Sequence, residues 1–377
     1  MKAVYDTEWN CMTDVIAYGL GQVGRRYIEI FKQEFNVRYI VDNSEKRIDE
    51  YYGIPVISLE QMLIRRHKEK VIVFASREAF SSIRMDLIHN GLSENKDFCK
   101  FDDFIKDWYW QFEQKNCLRE VHMAINTNCT FKCKNCNMFM PYYKDVIQYD
   151  LKSVEKDLTL FFERIDYVYI FSFLGGEPFL NNEIDIIIEH LFQKYNNKIG
   201  RIEVITNGSL IPKDKVLKTL HKCNVIVRIS DYTSQVPYTN KMNELCSILK
   251  VNGIRYFIET SLQWTDFCFP AGGDSVKIPN IRDHMLCCAP EFHGLNDGKF
   301  YYCHVAWSAE KAGLFHLKDS DYLDLELIDS NSKIECRKII EHANGNINGG
   351  YVSLCAKCMG CGPDNNRYIP VGEQLGS

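Results

Sequence analysis

The sequence predicts an α/β chain in three parts: a small parallel-sheet domain, a larger parallel barrel or part of one, and a cysteine-rich module with a β-hairpin. Three observations carry this. Strand-like apolar runs alternate with helix-like stretches over residues 13–105 in β-α-β-α-β-α order, which favours parallel strands joined by right-handed crossovers. From about Leu118 the alternation resumes, and its strands end in polar residues. After about Trp264 it stops, and cysteines crowd the remaining chain. The expected domains are 1–112, 118–264 and 265–377.

In the first domain a strand, Val15–Gly19, runs into Gly19-Leu-Gly21-Gln-Val-Gly24 and a helix, Arg25–Phe35. A second strand, Val37–Val41, ends at Asp42, followed by a helix at 59–67, a strand at 71–75 and a helix at 77–90. A G-x-G-x-x-G turn after a strand, with an acid about twenty residues on, fits a dinucleotide fingerprint. Gly19, Gly21 and Gly24 would allow the tight turn and close pyrophosphate approach, and Asp42 would accept from ribose hydroxyls. The unit is short for a complete dinucleotide fold. Its GLGQVGRRY, VDN and YYGIPVIS elements resemble small nucleotide- or nucleotide-sugar-binding Rossmann domains of polysaccharide enzymes. A nicotinamide cofactor and an empty scaffold stay open beside that reading. The aromatic run from Phe98 through Phe101, Phe104, Trp108, Tyr109 and Trp110 to Phe112 is expected to pack between domains.

Composition narrows the function. A net charge of −5 argues against general nucleic-acid affinity, which needs a basic surface. No apolar run reaches the length of a membrane span, and MKAVYDTEWN lacks a signal peptide's layout. The expected setting is the cytoplasm. Sixteen cysteines in a reducing compartment point to metal ligation for the clustered ones.

The central feature is Cys129, Cys133 and Cys136 at C-x3-C-x2-C spacing. A closed zinc site or a fully protein-ligated iron–sulfur cluster needs four ligands. Three thiolates leave one position open for chemistry, although zinc with a remote fourth ligand has the same count. The strand Tyr167–Phe173 then runs into Leu174-Gly175-Gly176-Glu177-Pro178, where two glycines permit close backbone approach and Pro178 stiffens the turn. The pair resembles the radical S-adenosylmethionine (SAM) superfamily. The resemblance implies a partial (β/α)6 barrel, a [4Fe–4S] cluster on the three cysteines with SAM on its open iron, and GGEP beside the SAM amino group. It also implies SAM contacts from Thr206, Asn207 and Ser230, which end successive strands at the rim where such folds collect ligands. One departure is Asn135, where the family has an aromatic before the third cysteine; Met138 or Phe139 would take its place beside the adenine.

Beyond Trp264, Asp266–Asp283 reads as a loop. Cys288 and Cys303 flank Asp297-Gly298, a hairpin turn, and so could face each other across the hairpin. Cys355, Cys358 and Cys361 follow. Four thiolates suit a structural zinc or a closed cluster equally. The spacing resembles the SPASM and Twitch modules of radical SAM enzymes, implying one auxiliary [4Fe–4S] cluster on Cys288, Cys303, Cys355 and Cys358, with Cys361 as alternative ligand. Cys287 and Cys336 stay unassigned, and Cys99, Cys223 and Cys246 read as small buried hydrophobes.

The family chemistry is reductive cleavage of SAM to a 5′-deoxyadenosyl radical that abstracts a substrate hydrogen, with electrons from a donor such as flavodoxin or ferredoxin. The short auxiliary module and the Rossmann-like leader favour dehydrogenation or epimerisation of a sugar or nucleotide-linked sugar. Cys268 is a candidate hydrogen donor for an epimerase. Modification of a ribosomal peptide is the alternative, and a non-catalytic iron–sulfur regulator or scaffold the second.

Overall fold

The computed structural model describes residues 5, 7–12, 14–44, 48–271, 277–288 and 292–375. Gly272 and Gly273, part of the expected loop beyond Trp264, lie outside them. The chain divides into two compact units, Met1–Arg119 and Glu120–Ser377. Among the described residues no helix is long and apolar enough to cross a membrane.

In the first unit β1 (Asp14–Tyr18), α1 (Gln22–Phe31), β2 (Asn36–Val41), β3 (Glu50–Tyr51), β4 (Ile54–Ile57), α2 (Leu59–Arg65), β5 (Lys70–Val73), α3 (Arg77–His89) and β6 (Phe98–Lys100) follow in order. The six strands form one sheet, β3-β4-β2-β1-β5-β6. All neighbours are parallel except the β3–β4 ribbon. Taken in chain order, the parallel strands lie 3-2-1-4-5, the doubly wound arrangement, with its switch point between β1 and β5. Ser58 closes a capping box on α2, and Ser76 caps α3 through the Ala79 N–H, satisfying donors that would otherwise be orphaned.

One core of this unit joins Ile16, Val41, Val71 and Val73 of the sheet to Met62 and Leu87 of α2 and α3. The other is aromatic. α4 (Phe101–Asp103) runs on into a π-helical stretch, Phe104–Glu113. Phe104 stacks on Trp108 with centroids 4.8 Å apart, and both meet Phe35 edge-on at 5.4 and 5.6 Å. Phe101 lies 4.3 Å from Phe74. This corrects the expectation that the run packs between domains: Phe101, Phe104 and Trp108 build the interior of their own unit.

The second unit is built on an eight-stranded sheet, β11-β10-β9-β8-β7-β13-β14-β15. β7 (Cys117–Ala124), α5 (Leu151–Phe162), β8 (Tyr167–Leu174), α6 (Ile184–Tyr195), β9 (Ile199–Thr206), α7 (Asp214–Lys222), β10 (Ile226–Asp231), α8 (Thr239–Val251) and β11 (Tyr256–Thr260) alternate strictly. β8 to β11 pair in parallel. Ile125 N–H donates to Leu174 O at 2.9 Å and Gly176 N–H to Asn126 O at 3.1 Å, so β7 joins them in the same direction. A sixth parallel strand comes from far along the chain: β13 (His293–Asn296) adds to the free edge of β7. β13 turns through Asp297 and Gly298, both at positive φ (58° and 72°), into antiparallel β14 (Lys299–Tyr301), the type I′ geometry expected of Asp-Gly. Asp157 of α5 accepts both turn N–H groups at 2.8 and 2.7 Å, tying the hairpin to the barrel.

Two segments differ from expectation. Residues 281–288, read as loop and hairpin flank, contain α9 (Ile281–Cys288), which buries His284 and Met285. β12 (Gln263–Thr265) and β16 (Tyr368–Pro370) pair as a separate antiparallel ribbon. α10 (His304–Lys311), β15 (Tyr322–Asp324) and α11 (Lys333–Ala343) complete the unit.

Candidate active site

Parallel strands of one barrel point their carboxyl ends to one rim, and in this unit the rim opens on a cavity of about 380 Å³. Cys129, Cys133, Cys136, Gly175, Gly176, Thr206, Asn207 and Ser230 all line it. Met138 and Phe139 do too, as does Asn135.

The glycines of GGEP serve a closer neighbour than a ligand. A Cβ on Gly175 would stand 2.2 Å from Asn126 O, and one on Gly176 2.0 Å from Asn128 O. Only glycine lets the β8 turn press against the backbone that leads into the cysteine loop. Glu177 and Pro178 are not part of the cavity wall. The Glu177 carboxylate is fully buried and accepts from the Thr206 hydroxyl at 2.8 Å, Asn207 N–H at 2.9 Å and Phe179 N–H at 3.2 Å. Burial pushes this carboxyl up to about 7, against the pull of the Asn207, Thr206 and Phe179 donors. Its place is beneath the rim, joining the ends of β8 and β9.

The three thiols have donors aimed at them. Phe131 N–H reaches Cys129 Sγ at 3.5 Å and the Asn207 amide reaches it at 3.6 Å. Gln374 Nε2 reaches Cys133 Sγ at 3.3 Å. Burial pushes the Cys129 thiol up to about 12 and the Cys133 thiol to about 11, so thiolates here need a cation to balance them. Three thiols lining one cavity, with N–H donors on the sulfurs, are the donor set of an iron–sulfur cluster with one iron left to a non-protein ligand.

The cavity is also lined by residues that no motif announced. His122 Nε2 lies 2.7 Å from Glu120 Oε1, and Arg228 lies 3.7 Å from the same oxygen. His122, Arg228, Phe292 and His304 line the cavity. The His304 tautomer is fixed by its neighbours. Asn296 Nδ2 donates to Ala124 O at 2.8 Å, and Asn296 Oδ1 accepts Ala124 N–H at 3.0 Å. That oxygen therefore faces His304 Nε2, 3.0 Å away, as an acceptor, and Nε2 carries the proton. Burial, with His122 nearby, holds His304 well below the ordinary imidazole range, hence neutral. Nδ1 is left as a bare acceptor with no partner. Gly294 makes room for the ring: a Cβ there would meet His304 Cδ2 at 2.6 Å.

Cys268 is not part of the cavity wall. Its sulfur receives Arg367 Nη1 at 3.3 Å and lies 3.7 Å from Asp266 Oδ2, while Phe267 and Phe269 on either side of it line the cavity. Cys361 lines the cavity instead.

A second, small cavity of about 30 Å³ is lined by Cys288, Cys303, Cys355, Cys358 and Cys361. Cys288 ends α9 and Cys303 precedes α10, so the hairpin strands themselves carry neither; the expected pair meets by a helix end instead. Cys361 Sγ lies 3.5 Å from Cys288 Sγ and its N–H donates to that sulfur at 3.3 Å. Through this contact the Cys288 thiol falls to about 7 despite its burial. Burial pushes Cys303 and Cys355 upward and Cys358 to about 12. His284 bridges Asp364 and Cys358 O at 2.8 and 2.9 Å, fixing the loop that presents the ligands. Cys287 is outside this wall, and Cys336 is buried in α11 with its thiol on Asp329 O at 3.6 Å. In the first unit a Cβ on Gly24 would collide with Gly19 O at 2.0 Å, whereas one on Gly21 would meet nothing within 4 Å. Asp42 accepts Leu20 N–H at 2.9 Å and Ser44 N–H at 2.8 Å.

Residues 123–231 match the model of the Radical SAM superfamily. No curated protein matches the chain. Among solved structures, native anSMEcpe with bound AdoMet is 20% identical with a TM-score of 0.30, over 37% of this chain and 43% of that one. The chain thus spans less than half of that protein. BtrN in complex with AdoMet and 2-DOIA is 16% identical with a TM-score of 0.40, over 64% of this chain and 92% of that one. SuiB of Streptococcus suis bound to S-adenosylmethionine is 17% identical with a TM-score of 0.26, over 42% of each chain. With its cysteine triad, its glycine turn and the rim they share, the stretch 123–231 belongs to the radical SAM superfamily.

Proposed function

We propose that the chain abstracts hydrogen from a hydroxylated small molecule, a sugar or nucleotide-linked sugar, bound between the cysteine rim and the His122–His304 wall. A [4Fe–4S] cluster with SAM supplies the 5′-deoxyadenosyl radical when bound. Cys129, Cys133 and Cys136 would hold the cluster, and Gly175, Gly176, Thr206, Asn207 and Ser230 would flank SAM. Glu177 keeps the ends of β8 and β9 in register beneath them. His122, Arg228 and His304, which share that lining, would fix which substrate carbon faces the rim. The observation that carries this reading is one cavity lined by three thiols together with His122, Arg228 and His304.

Cys288, Cys303, Cys355 and Cys358 are the proposed ligands of one auxiliary [4Fe–4S] cluster, with Cys361 as alternative. The reading for the first unit is that Gly19, Gly21, Gly24 and Asp42 form a nucleotide or nucleotide-sugar site. Open space at Gly21 supports it. The test is anaerobic incubation of cluster-loaded protein with SAM, a reductant and UDP-glucose. 5′-Deoxyadenosine above the substrate-free background, lost in His304→Phe, is the expected result. UDP-glucose-dependent product that His304→Phe leaves unchanged would refute the assignment of the wall.

A further inference from the structure

After β16 the chain returns to the cysteine loop. Lys134 N–H donates to Glu373 O at 2.7 Å, and Leu375 N–H donates to Lys132 O at 2.8 Å. Cys133 and Gln374 are thereby paired as an antiparallel bridge. Gly372, at φ +71°, lets the segment pass Tyr232, whose Cβ would lie 2.9 Å from a side chain there. No ligand-binding logic requires this wrapping. Its result is to bring one side chain under the loop.

That side chain is Gln374, and its amide orientation is determined. Oε1 accepts Lys132 N–H at 2.8 Å, so the oxygen is identified by a backbone donor. Nε2 then has two hydrogens to place. One goes to Gly372 O at 2.6 Å and the other to Cys133 Sγ at 3.3 Å. The sulfur is buried, where a hydrogen bond counts for more than in water.

We propose that Gln374 tunes the cluster held by Cys129, Cys133 and Cys136, through its N–H···S bond to Cys133. It is a positioning residue, acting through the ligand and not on substrate. A donor on a thiolate draws off negative charge, favours the reduced cluster and raises its potential. Every electron used to cleave SAM must first be accepted there, so the segment 372–375 sets how readily a given donor protein can load it. The inference rests on the reading that the three cysteines ligate a [4Fe–4S] cluster.

The test is an EPR-monitored redox titration of the anaerobically purified full chain, the signal being assigned by its loss in Cys129→Ala. Gln374→Leu removes the donor at similar size. Gln374→Glu keeps the acceptor for Lys132 and turns a charge toward the sulfur. The expected result is full iron content in both variants, with the midpoint potential more negative in Gln374→Leu and more negative still in Gln374→Glu. Equal midpoints at equal iron content would overturn the proposal. So would loss of this cluster's iron in both variants, which would make the segment a clamp and nothing more. Wild-type protein with no such signal would instead refute the cluster assignment itself.

Discussion

His304 Nε2 donates to Asn296 Oδ1 across 3.0 Å, and this one bond leaves Nδ1 as the ring's bare acceptor. Replacing Asn296 by Asp places a carboxylate beside Nε2 and favours the imidazolium. The bare acceptor is then lost without removing the ring. Asn296→Asp should abolish substrate-dependent product while SAM cleavage without substrate persists. Assaying 5′-deoxyadenosine with and without UDP-glucose checks this.

Glu177 holds the Thr206 hydroxyl and Asn207 N–H in a site closed to water. Glu177→Ala leaves these two donors and the Phe179 N–H without their acceptor, at about 1–3 kcal/mol for each buried donor. Glu177→Gln keeps one oxygen and should cost markedly less. Thermal denaturation and SAM titration of the two variants should rank them in that order.

His342 is buried with Nε2 unpartnered, and burial, with His293, pushes it from an ordinary 6.5 down to about 3. Its depressed value means that the unfolded chain binds the proton first. The stability His342 contributes is therefore complete above 6.5 and is lost as pH falls from there toward about 3. His342→Phe should flatten this acid slope. Denaturation midpoints followed across that window would show it; parallel profiles for both proteins would count against a neutral buried His342.

The two glycines of the first unit make a contrast. Gly24→Ala forces a Cβ to within 2.0 Å of Gly19 O and should destabilise the unit by about 1–3 kcal/mol. Gly21→Ala, with nothing near, should leave stability unchanged and weaken nucleotide-sugar binding. Calorimetric titration with UDP-glucose beside thermal melts separates the two effects.

Much of this was legible in the chain itself. The cysteine spacing, the strand–glycine turns and the 3.6-residue apolar stripes are local, and local patterns survive folding. Three features were not. Asn296 meets Ala124 across 172 positions, and Gln374 meets Cys133 across 241; neither pair leaves a mark in sequence spacing. α9 is short and begins directly after the Pro279-Asn280 step, which reads as loop until His284 and Met285 are seen to be buried. The aromatic run at 98–112 was visible but its partner was not: Phe35 and Phe74 lie far off in sequence and face it only once the sheet forms.

The most direct measurement is 5′-deoxyadenosine released from SAM by the anaerobic, reduced, iron-loaded protein, with metal content determined on the same sample. The account predicts product from the wild type, none from Cys129→Ala, and about four fewer iron atoms in that variant. Zinc at the triad, or equal product from Cys129→Ala, would contradict it.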